Sequence, residues 1–127
     1  MWAPLQHPGH VEFYEEFHRG RHDSGEDWQP MIRAVQYLQS QPYAPRLFAF
    51  TSLAHFHVTT APSYQEFPGH RTVGITWSFR DRSFHLSFGE SWTGARSHKH
   101  TCEEPDFPSS VDSLINGLLL HDDDHAG

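Results

Sequence analysis

The sequence predicts an α+β domain: an antiparallel β-meander of three to four strands with helices packed on one face, in the order α(α)-β-β-β-(β)-α. Three observations carry this expectation. Apolar residues recur at helical spacing in Trp28 to Gln39 and again from Val111 to Leu119. Between these stretches, from Leu47 onward, the apolar period changes to two, the period of a strand. The alternate positions of those strands carry His, Ser and Thr, which suits a sheet buried on one face and wetted on the other.

Each element follows from its own pattern. Residues 1–10, rich in Pro, Gly and His, read as an irregular arm. Val11 to Arg19 reads as a short helix, with Phe13 and Phe17 one turn apart and Gly20 suited to its end. Asp27 is placed to cap a second helix, Trp28 to Gln39, with Pro30 in its first turn. Trp28, Met31, Ile32, Val35 and Leu38 form its apolar stripe, and Gln41-Pro42-Tyr43-Ala44-Pro45 stops it. One long strand, bulged near Ser52, is expected over Arg46 to Thr60. It sets Phe48, Phe50, Phe56 and Val58 against the opposite parity of Thr51, His55, His57 and Thr59. Residues 61–70 form a loop.

Arg71 to Arg80 and Ser83 to Gly89 then pair as a hairpin. A two-residue turn at Asp81-Arg82 puts Phe79 opposite Phe84, Trp77 opposite Leu86 and Ile75 opposite Phe88, all apolar pairs. On the other face Ser78 meets His85 and Thr76 meets Ser87. Asp-Arg is not a preferred turn dipeptide, so a four-residue loop is the alternative. Trp92-Thr93-Gly94-Ala95 reads as a turn, Arg96 to Cys102 as a polar edge strand, and Glu103 to Pro108 as a loop. Ser109 or Ser110 caps a last helix with Val111, Leu114, Ile115, Leu118 and Leu119 on one stripe. Residues 121–127 read as a flexible acidic tail.

The 127 residues are expected to form a single domain. Hydrophobic residues reach only 36%, but four Trp, four Tyr and ten Phe supply bulk for a core. The formal charge of −7 argues against a nucleic-acid partner. The order helix, three strands, helix resembles the double-stranded RNA-binding domain, which grips phosphate with basic residues at the start of its last helix. Here that place reads Pro105-Asp106-Phe107-Pro108-Ser109-Ser110-Val111-Asp112, which repels phosphate. No apolar run is long enough for a membrane span, Met1 to Pro8 has no secretory pattern, and the single Cys102 excludes an internal disulfide. A cytoplasmic protein is expected, with no membrane partner.

Twelve histidines mark where chemistry can reside. Phe56-His57-Val58-Thr59 and Phe84-His85-Leu86-Ser87 share the form apolar-His-apolar-Thr/Ser. This resembles the paired motif of the 2H (two-histidine) phosphoesterases. The resemblance implies His57 and His85 as general acid and base, with Thr59 and Ser87 holding the phosphate. That family is longer and duplicated, with its motifs far apart, so an open β-face that tolerates such residues is the plainer reading. In His98-Lys99-His100-Thr101-Cys102, the residues His98, His100 and Cys102 would share a side and offer ligands to zinc or another transition metal. His55 and His57 would join them if the edge strand lay beside the first strand. Same-face residues lie about 7 Å apart along a strand, so the plainer reading is again a surface strand with no cofactor. His18 with His22 has helical metal spacing but flanks Gly20, while His121 and His125, around three aspartates in the tail, offer only a loose metal grip. Tyr64, Phe67 and Trp92 are expected as aromatic anchors for a partner. The function expected is a small acidic binding or adaptor domain without catalytic activity. It presents its polar sheet face and aromatic loops to a protein or a small ligand. A metal-dependent hydrolase, or a phosphoesterase using His57 and His85, is the alternative.

Overall fold

Pairing in the sheet begins at the second residue of the chain. In the computed structural model, Trp2–Pro4 (β1) lies antiparallel to Phe48–Ser52 (β2). His55–Thr59 (β3), Thr72–Ser78 (β4), Ser83–Gly89 (β5) and His98–Cys102 (β6) follow in sequence order across one six-stranded sheet. Helices Gly9–Arg21 (α1) and Gln29–Gln39 (α2) lie between β1 and β2, and Phe107–Ala126 (α3) ends the fold. The structure describes residues 1–21, 25–89 and 98–126, the last five of these by backbone only.

The α+β class and the antiparallel sheet match the expectation, while the strand count and the element order differ. The expected arm supplies β1. Its strand is three residues long, too short for a period to show, and side chains fix it. The Trp2 ring stacks on Phe50 at 4.1 Å, and its Nε1–H donates to the Ala61 carbonyl at 2.9 Å. The backbone N–H of fully buried Leu5 donates to the Leu47 carbonyl at 2.9 Å.

The expected long strand is a hairpin instead. Ser52 pairs with His55, leaving Leu53 and Ala54 as the turn, with Leu53 at φ 56°. Reversal at this turn sends Phe48 and Phe50 to the face opposite Phe56 and Val58. Phe50 stacks under His57, while Phe56 packs edge-on against Tyr14 of α1.

In the β4–β5 hairpin Trp77 opposes Phe84, Ile75 opposes Leu86 and Val73 opposes Phe88. The loop therefore spans residues 79–82, four residues, and the register differs by two from that of the tight turn. A shift of two keeps each side chain on its face. Phe79, in that loop, packs edge-on against Trp28 at 4.9 Å. On the other face, the same shift sets Thr76 opposite His85 and Gly74 opposite Ser87.

The helices cover the face of Val58, Val73, Ile75, Phe84 and Leu86 in one hydrophobic cluster. From α2 come Met31, Ala34, Val35 and Leu38; from α3 come Val111, Ile115, Leu118 and Leu119. Ala34 joins the predicted positions of α2, and Ile32 and Leu114 lie at the margin of the predicted stripes. In α1 the fully buried positions are His10 and Tyr14. The buried His10 donates through Nε2 toward the Ala3 and Pro4 carbonyls, pinning β1 to α1. Tyr37 and Tyr43 both donate to the Asp112 carboxylate, at 2.6 and 2.7 Å, and join α2 and the turn after it to α3. Helix α3 continues to Ala126, through most of the expected flexible tail. Among the described residues, no helix is long and apolar enough to cross a membrane.

Candidate functional site on the open sheet face

Strand alternation and register assemble the site. Gly74 lies at its centre, paired with His57 of β3 on one side and Ser87 of β5 on the other. Ser87 is in turn paired with Lys99 of β6, and His57 with Phe50 of β2. One residue pair further along, on the same face, Thr76 opposes His85, and its Oγ1 lies 2.5 Å from Nδ1 of His55. All of these residues but Phe50 line a hollow of about 370 Å³ on the face away from the helices.

Gly74 makes the hollow. A methyl group there would stand 2.5 Å from Oγ of Ser87 and 3.4 Å from Nδ1 of His57. The missing side chain therefore lets a hydroxyl and an imidazole nitrogen face the same point from two strands. A glycine within a strand commonly marks such a close approach.

His57 is the most constrained member. It is 5% exposed, and its ring stacks on Phe50 at 4.9 Å with 17° between the planes. Its Nδ1 is buried without a hydrogen-bond partner in the protein. Burial, with a smaller contribution from His55, pushes its pKa down to about 4, so the ring is neutral at pH 7. A neutral imidazole offers one donor nitrogen and one acceptor nitrogen. At the outer edge of the site, Nε2 of His85 meets Oδ2 of Asp81 at 3.2 Å.

Of the residues singled out from the paired motifs, His57 and Ser87 come together across Gly74. His85 lies one pair further along, and Thr59 does not join them. Thr59 is fully buried, and its hydroxyl donates to the Arg71 carbonyl at 2.8 Å. The two motifs run parallel on β3 and β5, displaced by one pair, so the two histidines are not matched by two hydroxyls.

The proposed convergence of metal ligands does not occur. Strand β6 pairs with β5, not with β3, so His98, His100 and Cys102 oppose Phe88, Leu86 and Phe84. They take the helix side of the sheet, where Nε2 of His100 lies 3.3 Å from Oγ of Ser110 on α3. His55 and His57 occupy the other face. Among the described residues, no three His, Cys, Asp or Glu side chains form a group that could hold a metal ion. Cys102 is buried, and burial raises its pKa, which keeps it a thiol. Nδ1 of His18 accepts from the Trp28 backbone N–H at 3.3 Å, while its expected companion His22 lies outside the described residues.

The aromatic anchors divide as well. Phe67 is only 5% exposed, packed edge-on to Trp2 and Phe50 at 5.9 and 6.4 Å, so it is a packing residue. Tyr64, 63% exposed, leans edge-on to Trp2 at 6.5 Å and presents the loop's accessible ring. Trp92 lies outside the described residues.

Gly74, Thr76 and Lys99 were not read from the sequence as site residues. The one available signal was a lone glycine inside the strand pattern Thr72-Val73-Gly74-Ile75-Thr76-Trp77. The chain matches no family model, no curated protein and no solved structure. The functional reading therefore rests on the geometry around Gly74.

Proposed function

We propose that this chain is a small-ligand-binding domain whose ligand sits over Gly74, against His57 and Ser87. The observation that carries the reading is the orphaned, buried Nδ1 of His57, a residue only 5% exposed. Leaving such a group unpaired costs about 1–3 kcal/mol, and most buried polar atoms in folded proteins have partners. A ligand atom placed above Gly74 would supply that partner and meet the Ser87 hydroxyl as well. The hollow, at about 370 Å³, falls within the range of small-molecule sites, roughly 300–1,000 Å³. Its lining is rich in polar groups that converge on one point, the kind of group that fixes a ligand's orientation.

The test is an NMR screen of ¹⁵N-labelled protein against neutral sugars, amino acids, amines, carboxylic acids and organic phosphates. At least one class is expected to move the amide resonances of His57, Gly74 and Ser87 in a saturable manner. The same compound is expected to leave them unmoved in Gly74→Val or Ser87→Val, two folded-state-checked variants that fill the hollow from different strands. If no class moves these resonances, or if the shifts persist in both filled variants, the reading fails.

A further inference from the structure

We infer that the ligand of this hollow is an oxyanion, a small molecule bearing a carboxylate or phosphate group, held by His57, Ser87 and Lys99. The inference rests on the ligand-binding reading above and adds the charge and chemical class of the ligand.

The chain is acidic, with 16 Asp and Glu against 9 Lys and Arg. Yet the described residues that line the hollow include no carboxylate and one ammonium, Lys99. Asp81 meets the site only at its margin, through His85. An organic cation here would lose hydration without gaining a counter-charge, which is unfavourable. An anion would gain one.

The donor inventory points the same way. Lysine has three donors and no acceptor, a serine hydroxyl can donate, and a neutral imidazole donates from whichever nitrogen holds the proton. His57, Gly74, Ser87 and Lys99 stand on four successive strands in one row. Neighbouring strands are about 4.8 Å apart, so the four-carbon stem of Lys99 spans the distance to a group above Ser87. An oxyanion over Gly74 can then accept from Ser87 Oγ, from His57 Nδ1–H and from the Lys99 ammonium through separate lone pairs. Hydrogen bonds to a charged acceptor are roughly twice as strong as neutral ones, which suits a shallow, open site. Gly74 contributes the space: a side chain there would occupy the point that the oxygen needs.

The experiment uses four probes at matched ionic strength: sodium phosphate, sodium acetate, ethanolamine hydrochloride and glucose. Ring ¹⁵N signals of His57 and the amides of Gly74 and Ser87 are followed during titration of the whole protein. Phosphate, acetate or both are expected to give saturable shifts at millimolar concentration, and the stronger of the two identifies which oxyanion the site prefers. Lys99→Met and Ser87→Ala are each expected to weaken the response about tenfold, the effect of losing about 1.4 kcal/mol of binding. Neither substitution touches the core, so folding is retained. Shifts with ethanolamine or glucose and none with phosphate or acetate overturn the oxyanion assignment while leaving the hollow a binding site. Oxyanion shifts unchanged in Lys99→Met and Ser87→Ala also overturn it. Silence from all four probes, together with a negative screen, removes both readings.

Discussion

Leu53 holds a left-handed backbone, φ 56°, with a side chain 86% exposed, so no buried contact compensates the strain. An L-residue with a side chain pays about 1–2 kcal/mol in that region, whereas glycine enters it freely. Leu53→Gly is therefore expected to raise stability by about 1 kcal/mol, less than the full strain because glycine also loosens the unfolded chain. A rise in the urea midpoint with an unchanged slope checks this. Gly74 presents the converse case. Gly74→Ala forces its methyl against Oγ of Ser87 at 2.5 Å and is expected to cost about 1–3 kcal/mol. Ser87→Ala in the same chain removes the clashing oxygen, so the double variant should recover part of that loss. A double-mutant cycle showing simple additivity would mean the two residues do not meet over the strand.

At the level of elements, patterns that depend on one segment were legible and patterns that depend on pairing were not. Helix α2 and strand β5 lie where their periodicity puts them, because each buries a stripe or face long enough to show. The hairpin of β2 and β3 was hidden because its turn, Leu53-Ala54, lacks the Gly, Asn or Asp that marks such turns. The sequence identified His57 and Ser87 as candidates, but not their partnership. That partnership comes from the β3–β4 and β4–β5 registers, which place both residues opposite Gly74. Helix-to-helix ties were equally invisible, being made of single polar contacts. Asp112 accepts from both Tyr37 and Tyr43, and burial, together with the Asp112 carboxylate, raises the pKa of each phenol, that of Tyr37 to about 12. Asp112→Ala removes the acceptor of two partly buried hydroxyls and is expected to cost about 2 kcal/mol. Tyr37→Phe should cost less, since Tyr43 keeps the carboxylate occupied. Equal losses in the two variants would mean that the Tyr43 contact contributes nothing.

For the molecule as a whole, two buried neutral histidines on opposite sides of the sheet link stability to pH. His10 lies on the buried side of α1 and His57 on the open face, and burial is the largest cause lowering the pKa of each below 6.5. The unfolded chain therefore binds more protons than the folded one below about pH 6.5, so stability is full above that pH and declines as the pH falls. For His57, whose folded pKa is about 4, the decline spans about pH 6.5 to 4 and reaches about 3 kcal/mol by its end. Part of the same loss belongs to His10, whose carbonyl contacts to Ala3 and Pro4 oppose the effect of burial. His57→Phe keeps a ring stacked on Phe50 and has no proton to bind, so it should reduce the slope of stability against pH without abolishing it. Urea unfolding at pH 7, 6 and 5 checks this, in Bis-Tris and piperazine buffers free of phosphate and acetate, since an oxyanion bound over Gly74 would stabilise the folded state by itself. Because the variant lacks both the titrating ring and the orphaned nitrogen, it should also be the more stable protein at pH 5. An identical decline in parent and variant would place the acid sensitivity elsewhere and return His57 to a passive place in the sheet.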